Sequence, residues 1–293
     1  MNPDGTERLA KVLARRGVAS RREAERLIEE GKVTVDGEVV THPGHPVDPR
    51  AALIRVEGKR IPDEPKSMYY LLYKPKGTMV TREDPEGRKT VYELLGELGT
   101  RVEAVGRLDF NTEGALLLTN DGPLAHALTH PSKGIPKRYL AKIYRTPSPA
   151  TLERIETGVY LEDGKTGPCK ARVVKATDAE NAWVEVTVTE GRNRLVRRLF
   201  AAVGHPVAKL RRESFATIGL RGLLPGQYRE LTAEEVRRLR DLAAGIDPAE
   251  AGHKDKRDKA GFAKPDPKWL AKRLDGKKRT VNRGHPPRGG AAR

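Results

Sequence analysis

Apolar positions in the first sixty residues recur at helical spacing and then switch to strand-like runs. Leu9, Val12 and Leu13 stand three and four apart, which predicts a short helix with one buried face. Ser20 precedes Arg21-Arg22-Glu23, so a glutamate falls three residues after an N-capping serine, the spacing of a capping box. Ala24, Leu27 and Ile28 give this second helix its apolar face, and Gly31 is placed to end it. Residues 32–40 read as two short strands around Asp36-Gly37, a strong hairpin signal. The prediction is a small α+β module of two helices and a hairpin.

The pattern changes after Ile61. Ile61-Pro62-Asp63-Glu64-Pro65-Lys66-Ser67 is polar and punctuated by proline, so residues 1–61 form one module and 62–67 a linker. Residues 68–247 carry many short strand-like runs: 69–73, 102–105, 115–119, 139–144, 171–176 and 182–189. Residues 195–203 and 233–242 read as helices. Long βαβ repeats are absent, so the class is α+β with a mixed sheet rather than a doubly wound fold. Residues 248–293 are mostly Lys, Arg, Gly and Pro, with one short helix-like piece at Trp269, Leu270 and Leu274, and are expected to be a disordered tail.

Charge sharpens this division. The 293 residues carry a net charge of +16. So basic a chain calls for a polyanionic partner, most often nucleic acid, with an acidic membrane surface as the other option. Residues 251–293 alone carry +10, the first 66 residues +1 and the remainder +5. No apolar run reaches 18 residues, so no membrane span is expected. Met1-Asn2-Pro3-Asp4-Gly5 has no signal-peptide pattern, and a cytoplasmic protein is expected. Cys169 is the single cysteine, which rules out an internal disulfide or a cysteine zinc cluster.

Candidate chemistry centres on Asp109. It sits in a short polar loop between the strand-like residues 102–105 and 115–119, where a rigid fold can display a reactive group. Asn120-Asp121-Gly122 follows as a turn signal. An aspartate in a loop also commonly does no more than shape a turn, so position alone does not decide its role. There is no Walker loop, HExxH or CxxC pattern, and neither cofactor nor metal is expected.

The surrounding letters do decide it. Gly106-Arg107-Leu108-Asp109, a short polar stretch, Thr112-Glu113-Gly114, a leucine run and Thr119-Asn120-Asp121-Gly122 together resemble the catalytic motif of pseudouridine synthases that modify ribosomal RNA at single positions. Ala115 stands where leucine is commoner. Pro136-Lys137-Arg138-Tyr139-Leu140 and Glu190-Gly191-Arg192-Asn193-Arg194-Leu195-Val196-Arg197-Arg198-Leu199-Phe200 resemble two further motifs of that family. The resemblance implies a catalytic domain with a central, largely antiparallel sheet and a cleft. It implies Asp109 as the catalytic carboxylate, Tyr139 as the aromatic against the displaced uracil, and Arg197 as the cation paired with Asp109. Arg107 would occupy the space of a flipped nucleotide or grip its phosphate. Arg192, Arg194, Arg198 and Lys74, in Lys74-Pro75-Lys76-Gly77, would contact RNA phosphates. The reaction is an internal rearrangement with no redox change, so it needs no cofactor. Whether the carboxylate attacks C1′ or removes the C2′ proton stays open.

The N-terminal module resembles an S4 RNA-binding domain over roughly residues 6–60. That likeness assigns RNA contacts to Arg8, Lys11, Arg15, Ser20, Arg21, Arg22 and Lys32. On charge alone these residues would be a solvated face balanced by Glu23, Glu25, Glu29 and Glu30. An S4-like module, a synthase-like domain and a basic tail, in that order, resemble the bacterial synthases of type A, specific for 16S ribosomal RNA, and of types B, E and F, specific for 23S. The long tail is most similar to the B type. The expected partner is therefore ribosomal RNA, 23S favoured over 16S, or a pre-ribosomal particle, met by a monomer away from any membrane. A non-catalytic ribosome-assembly factor is the alternative that would use the same basic surfaces.

Overall fold

In a computed structural model, residues 5–177 and 181–246 are described. The expected tail and its piece around Trp269, Leu270 and Leu274 lie outside the described residues. The helices Leu9–Arg15 and Arg21–Glu29 bury Leu9, Val12, Leu13, Ala24 and Ile28 against Val33, Val40, Ile54 and Ile61. Ser20 Oγ accepts the Glu23 amide at 3.2 Å and caps the second helix. The capping box is only half formed, because the Glu23 carboxylate receives the Arg26 guanidinium instead. Gly31 takes φ +69°, with its amide on Ile28 O at 2.9 Å and the Lys32 amide on Leu27 O at 3.0 Å. This is the helix stop that glycine permits. The hairpin Val33–Val35 and Glu38–Val40 turns at Asp36 and Gly37, both at positive φ. A second hairpin, Ile54–Val56 with Lys59–Arg60, extends it to four strands beyond the sequence expectation.

The synthase-like region is built on a nine-stranded sheet. Its main path runs Lys170–Thr177, Asn181–Val188, Lys137–Tyr144, Val207–Phe215, Thr112–Thr119, Tyr69–Lys74, Tyr228–Glu230. Glu103–Ala104 and Ile218–Gly219 pair beside it. Every pairing is antiparallel except one, where Leu210–Arg212 runs parallel to Thr112–Gly114. The sheet is thus mixed and mainly antiparallel, as expected. On one face Ala141, Val184 and Leu210 pack with the helices Pro149–Thr157 and Leu195–Ala202. Further along that face Leu72 and Leu116 pack with Val91 and Leu95. On the other face Leu71, Ala115 and Leu117 pack with the helices Gly122–Thr129 and Ala233–Ala244. No hydrophobic cluster of the described residues crosses residues 62–67.

Two elements correct the sequence reading. Asp121 is more than a turn former: its side chain accepts the Leu124 amide at 3.0 Å and starts the helix Gly122–Thr129. Val207–Phe215, not anticipated as a strand, lies in the middle of the sheet and makes the parallel pairing.

Candidate active site

The loop between Glu103–Ala104 and Thr112–Thr119 is held at several points and exposes Arg107, Asp109 and Asn111. Gly106 reverses the chain at φ +74°. Leu108 is buried with Leu72, Val91 and Leu116, which anchors the loop to the core. Asp109 is exposed, and its carbonyl accepts the Thr112 amide at 3.0 Å. The Gly77 amide donates to Phe110 O at 2.9 Å. Lys74 Nζ donates to Thr112 O at 2.9 Å, to Pro75 O at 3.0 Å and to Phe110 O at 3.5 Å.

Lys74 is therefore not a phosphate contact. It is fully buried, and desolvation pushes its ammonium down to about 8 against the opposing pull of Asp109 and Glu113. The Lys-Pro-Lys-Gly run is expected on RNA phosphates, yet its first lysine ends the strand Tyr69–Lys74 buried and bonded to backbone oxygens of the Asp109 loop.

Gly114 explains the glycine of the Thr-Glu-Gly run. It adopts φ +122°, and a Cβ there would lie 2.2 Å from Arg212 O and 2.6 Å from Arg212 N. Only glycine lets the two central strands approach this closely.

A cleft of about 700 Å³ brings Asp109, Tyr139 and Arg197 together, with Arg107, Arg192 and Arg194 also on its walls. That volume lies in the range of sites that enclose a small organic group. Tyr139 comes from the strand Lys137–Tyr144, half-buried and paired with Val186 on one side and Arg212 on the other. Arg197 comes from the first turns of the helix Leu195–Ala202, entered through Arg194 at φ +48°.

The expected Asp109–Arg197 ion pair is not closed. Arg197 donates instead to Val207 O at 3.2 Å and Asn111 O at 3.4 Å. Asn111 belongs to the Asp109 loop, so this arginine links helix and loop through the backbone. Burial and the nearby Arg194 lower the Arg197 pKa, while the charge of Asp109 opposes that shift. The two groups act on each other through the cleft, not by contact.

Two cations of the cleft were not read from the sequence. Arg212 is 2% exposed. Its Nε donates to Ala115 O at 2.7 Å, and its guanidinium lies 5.1 Å from the Phe215 ring centre. Its Nη2 is buried without a hydrogen-bond partner in the protein, which leaves a donor unsatisfied on a residue that lines the cleft. Lys137 donates to Ile135 O at 2.9 Å and Thr189 O at 3.1 Å, and burial, helped by Arg212, brings it down to about 8. Arg212 stands on a polar strand, where the apolar alternation that flags a strand is weak, and Lys137 lies just ahead of the strand-like run 139–144.

Arg192 and Arg198, expected on RNA phosphates, are spent within the protein. Arg192 reaches Glu190 at 2.5 Å, Asp163 Oδ1 at 3.1 Å, Gly164 O at 3.1 Å and Lys165 O at 2.6 Å. Arg198 clasps Asp163 at 2.5 and 3.0 Å. The Arg198 hydrogen bond comes first among the causes that hold the Asp163 carboxyl down at about 2. Asp163 thus ties the hairpin Tyr160–Leu161 and Gly164–Lys165 to the cleft wall. Arg107 and Arg194 are exposed and, among the described residues, make no ion pair.

In the N-terminal module most of the expected RNA contacts are engaged. Ser20 caps its helix, and Lys11 lies 3.9 Å from Glu7. Arg21 lies 3.5 Å from Glu25. Arg15 bonds Glu7 and Glu64, and Lys32 lies 2.8 Å from Glu30. Arg8 and Arg22 are exposed with no ion pair among the described residues. Among the described residues no group of three or more His, Cys, Asp or Glu side chains is arranged to hold a metal, and no helix is long and apolar enough to cross a membrane.

Comparison with known proteins matches this architecture. Residues 68–202 match the RNA pseudouridylate synthase family and residues 7–61 the S4 domain. The chain is 48% identical over 238 residues to the ribosomal large subunit pseudouridine synthase B of Bacillus subtilis, covering 81% of this chain and 97% of that protein. It is 44% identical over 246 residues to the protein of the same name from Shigella flexneri, covering 81% and 83%. A solved structure described as a pseudouridylate synthase superposes with a TM-score of 0.58 at 30% identity, covering 80% of this chain and 99% of the other.

Proposed function

This chain belongs to the RNA pseudouridylate synthase family, and from that premise we propose that it converts a specific uridine of 23S ribosomal RNA to pseudouridine with Asp109 as the catalytic carboxylate. The observation that carries the site assignment is the convergence of Asp109, Tyr139 and Arg197 on one cleft from three separate stretches of sequence. The 23S substrate is supported by the two relatives named for the large ribosomal subunit.

The target uridine leaves its stack and enters the cleft, at a cost of about a few kcal/mol. Arg107, exposed two residues before Asp109, takes the flipped phosphate or the vacated space. The carboxylate then acts on the ribose, by attack at C1′ or by taking the C2′ proton. The C1′–N1 bond breaks. Tyr139 supports the detached uracil while it turns, and a C1′–C5 bond forms. The C5 proton leaves, a proton is regained at N1, and the atoms balance without oxidant or donor. Arg212, Lys137 and Arg197 supply fixed positive charge around the anionic groups.

The working organisation is an RNA-binding module over residues 1–61, a linker at 62–67, a catalytic domain over 68–247 and a basic segment from 248, acting as a cytoplasmic monomer. The test is pseudouridine mapping of 23S and 16S RNA from cells with and without the protein, by carbodiimide labelling and primer extension. Loss of one 23S stop is expected. Loss in 16S would keep the chemistry and replace the substrate. No change in either would contradict the proposal.

A further inference from the structure

We propose that the sheet face opposite the cleft is a second RNA-docking surface, formed by Lys142, Lys175 and Lys209 around Trp183. This rests on RNA being the substrate but not on the catalytic assignment. The register places the four residues in one row across four adjacent strands. Lys175 pairs with Trp183, Trp183 with Lys142, and Lys142 with Lys209. At the usual strand spacing of about 4.8 Å this row spans roughly 14 Å. Strand alternation turns Tyr139 and Arg212 to the cleft, and the same alternation turns Lys142 and its row to the other side.

Over these strands that face carries no helix among the described residues. The cluster that holds the helices Gly122–Thr129 and Ala233–Ala244 takes in Tyr69–Lys74, Thr112–Thr119 and, of Val207–Phe215, its far end at Phe215, away from Lys209. Trp183 belongs to no hydrophobic cluster and is only partly buried, so part of its ring is open to solvent on this face. Lys175 and Lys209 are exposed and Lys142 partly so, and none of the three forms an ion pair among the described residues. Glu185, two residues along the strand from Trp183, is engaged by Arg172 at 2.9 Å. An aromatic ring between cations on an open sheet is the arrangement that stacks a base and neutralises its flanking phosphates. The basic tail, at +10 over residues 251–293, has the wrong sign to cover it.

The probe is a 12-nucleotide oligoadenylate, which offers no uridine to the cleft. It is titrated into full-length Trp269→Phe protein, so that fluorescence reports Trp183. Saturable quenching is expected. Changing Lys142, Lys175 and Lys209 together to Gln should weaken this binding at least tenfold, and should lower the slope of log affinity against log salt by about 2, from three single-strand phosphate contacts. The corresponding triple Arg variant should restore both and exclude a folding defect. Absence of quenching, or Gln-variant affinity equal to that of the parent, would overturn the proposal. So would equal displacement by polyglutamate, which would assign the face to an acidic protein. Turnover of a uridine-containing RNA is scored separately, so its failure falls on the catalytic reading alone.

Discussion

The Lys74 ammonium lies 2.9 Å from the carbonyl oxygen of Thr112, inside the fold and bonded to the loop that presents Asp109. A buried cation holding backbone oxygens trades a desolvation penalty for fixed geometry. Lys74→Met would remove the charge but leave the Thr112 carbonyl short of a donor. The expected result is destabilisation of about 1–3 kcal/mol, the cost of an unsatisfied buried group. Turnover should fall by about tenfold to a hundredfold from displacement of Asp109, with RNA affinity little changed. Denaturant unfolding and single-turnover kinetics check the two parts.

Gly114→Ala should be among the most damaging single-methyl changes in the protein. Its Cβ would meet Arg212 backbone atoms at 2.2 and 2.6 Å at the parallel strand pairing. Overpacking of this kind costs about 1–3 kcal/mol, and the positive φ adds strain. A clearly lowered Tm is expected, together with loss of activity because Arg212 must shift. A Tm equal to that of the parent would show that the strands can separate here without consequence.

Arg107 and Arg192 should behave as opposites. Arg107 has no ion pair among the described residues, whereas Arg192 is held by Glu190, Asp163, Gly164 and Lys165. Arg107→Gln should weaken RNA binding and reduce the salt slope by about 0.7–0.9, one phosphate contact. Arg192→Gln should lower turnover through a loosened cleft wall and leave the salt slope unchanged. Binding isotherms at several salt concentrations separate them.

A buried lysine, Lys74, and a half-buried one, Lys137, set a pH dependence. Lys74 and Lys137 both titrate near 8, below the ordinary 10.5. Between about 8 and 10.5 the unfolded chain binds more protons than the folded one, so their contribution to stability rises with pH in that window. Function runs the other way, because deprotonation removes positive charge from the cleft and weakens the grip on the Asp109 loop. Turnover should fall as pH rises through about 8 while these lysines add stability. In Lys137→Gln the part of each change due to that residue should vanish, as parallel pH–rate and pH–Tm profiles would record.

The strands and helices with clear apolar periodicity were legible in the sequence. Tyr69–Lys74, Asn181–Val188 and Leu195–Ala202 fall within a residue or two of their expected bounds. Val207–Phe215 was hidden because Lys209, Arg211 and Arg212 break its alternation. One side of that strand borders a polar cleft and the other an open basic face. Lys74, expected on an RNA phosphate, is not legible as a buried brace, because Lys-Pro-Lys-Gly is basic and turn-like and only the three-dimensional path turns its first residue inward. The motif letters bring out Asp109, Tyr139 and Arg197 as candidates and the fold brings them to one cleft, but whether the cations touch Asp109 or its loop depends on distances no spacing encodes.

The most direct test of the central claim is single-turnover conversion of the mapped target RNA by Asp109→Asn protein, with affinity for that RNA measured alongside. The exposed side chain makes a folding defect from this isosteric change unexpected. The account predicts no pseudouridine and an RNA affinity within about threefold of the parent, a binding difference below about 0.7 kcal/mol. Pseudouridine formed at near-parental rates would contradict it and remove Asp109 from the chemistry.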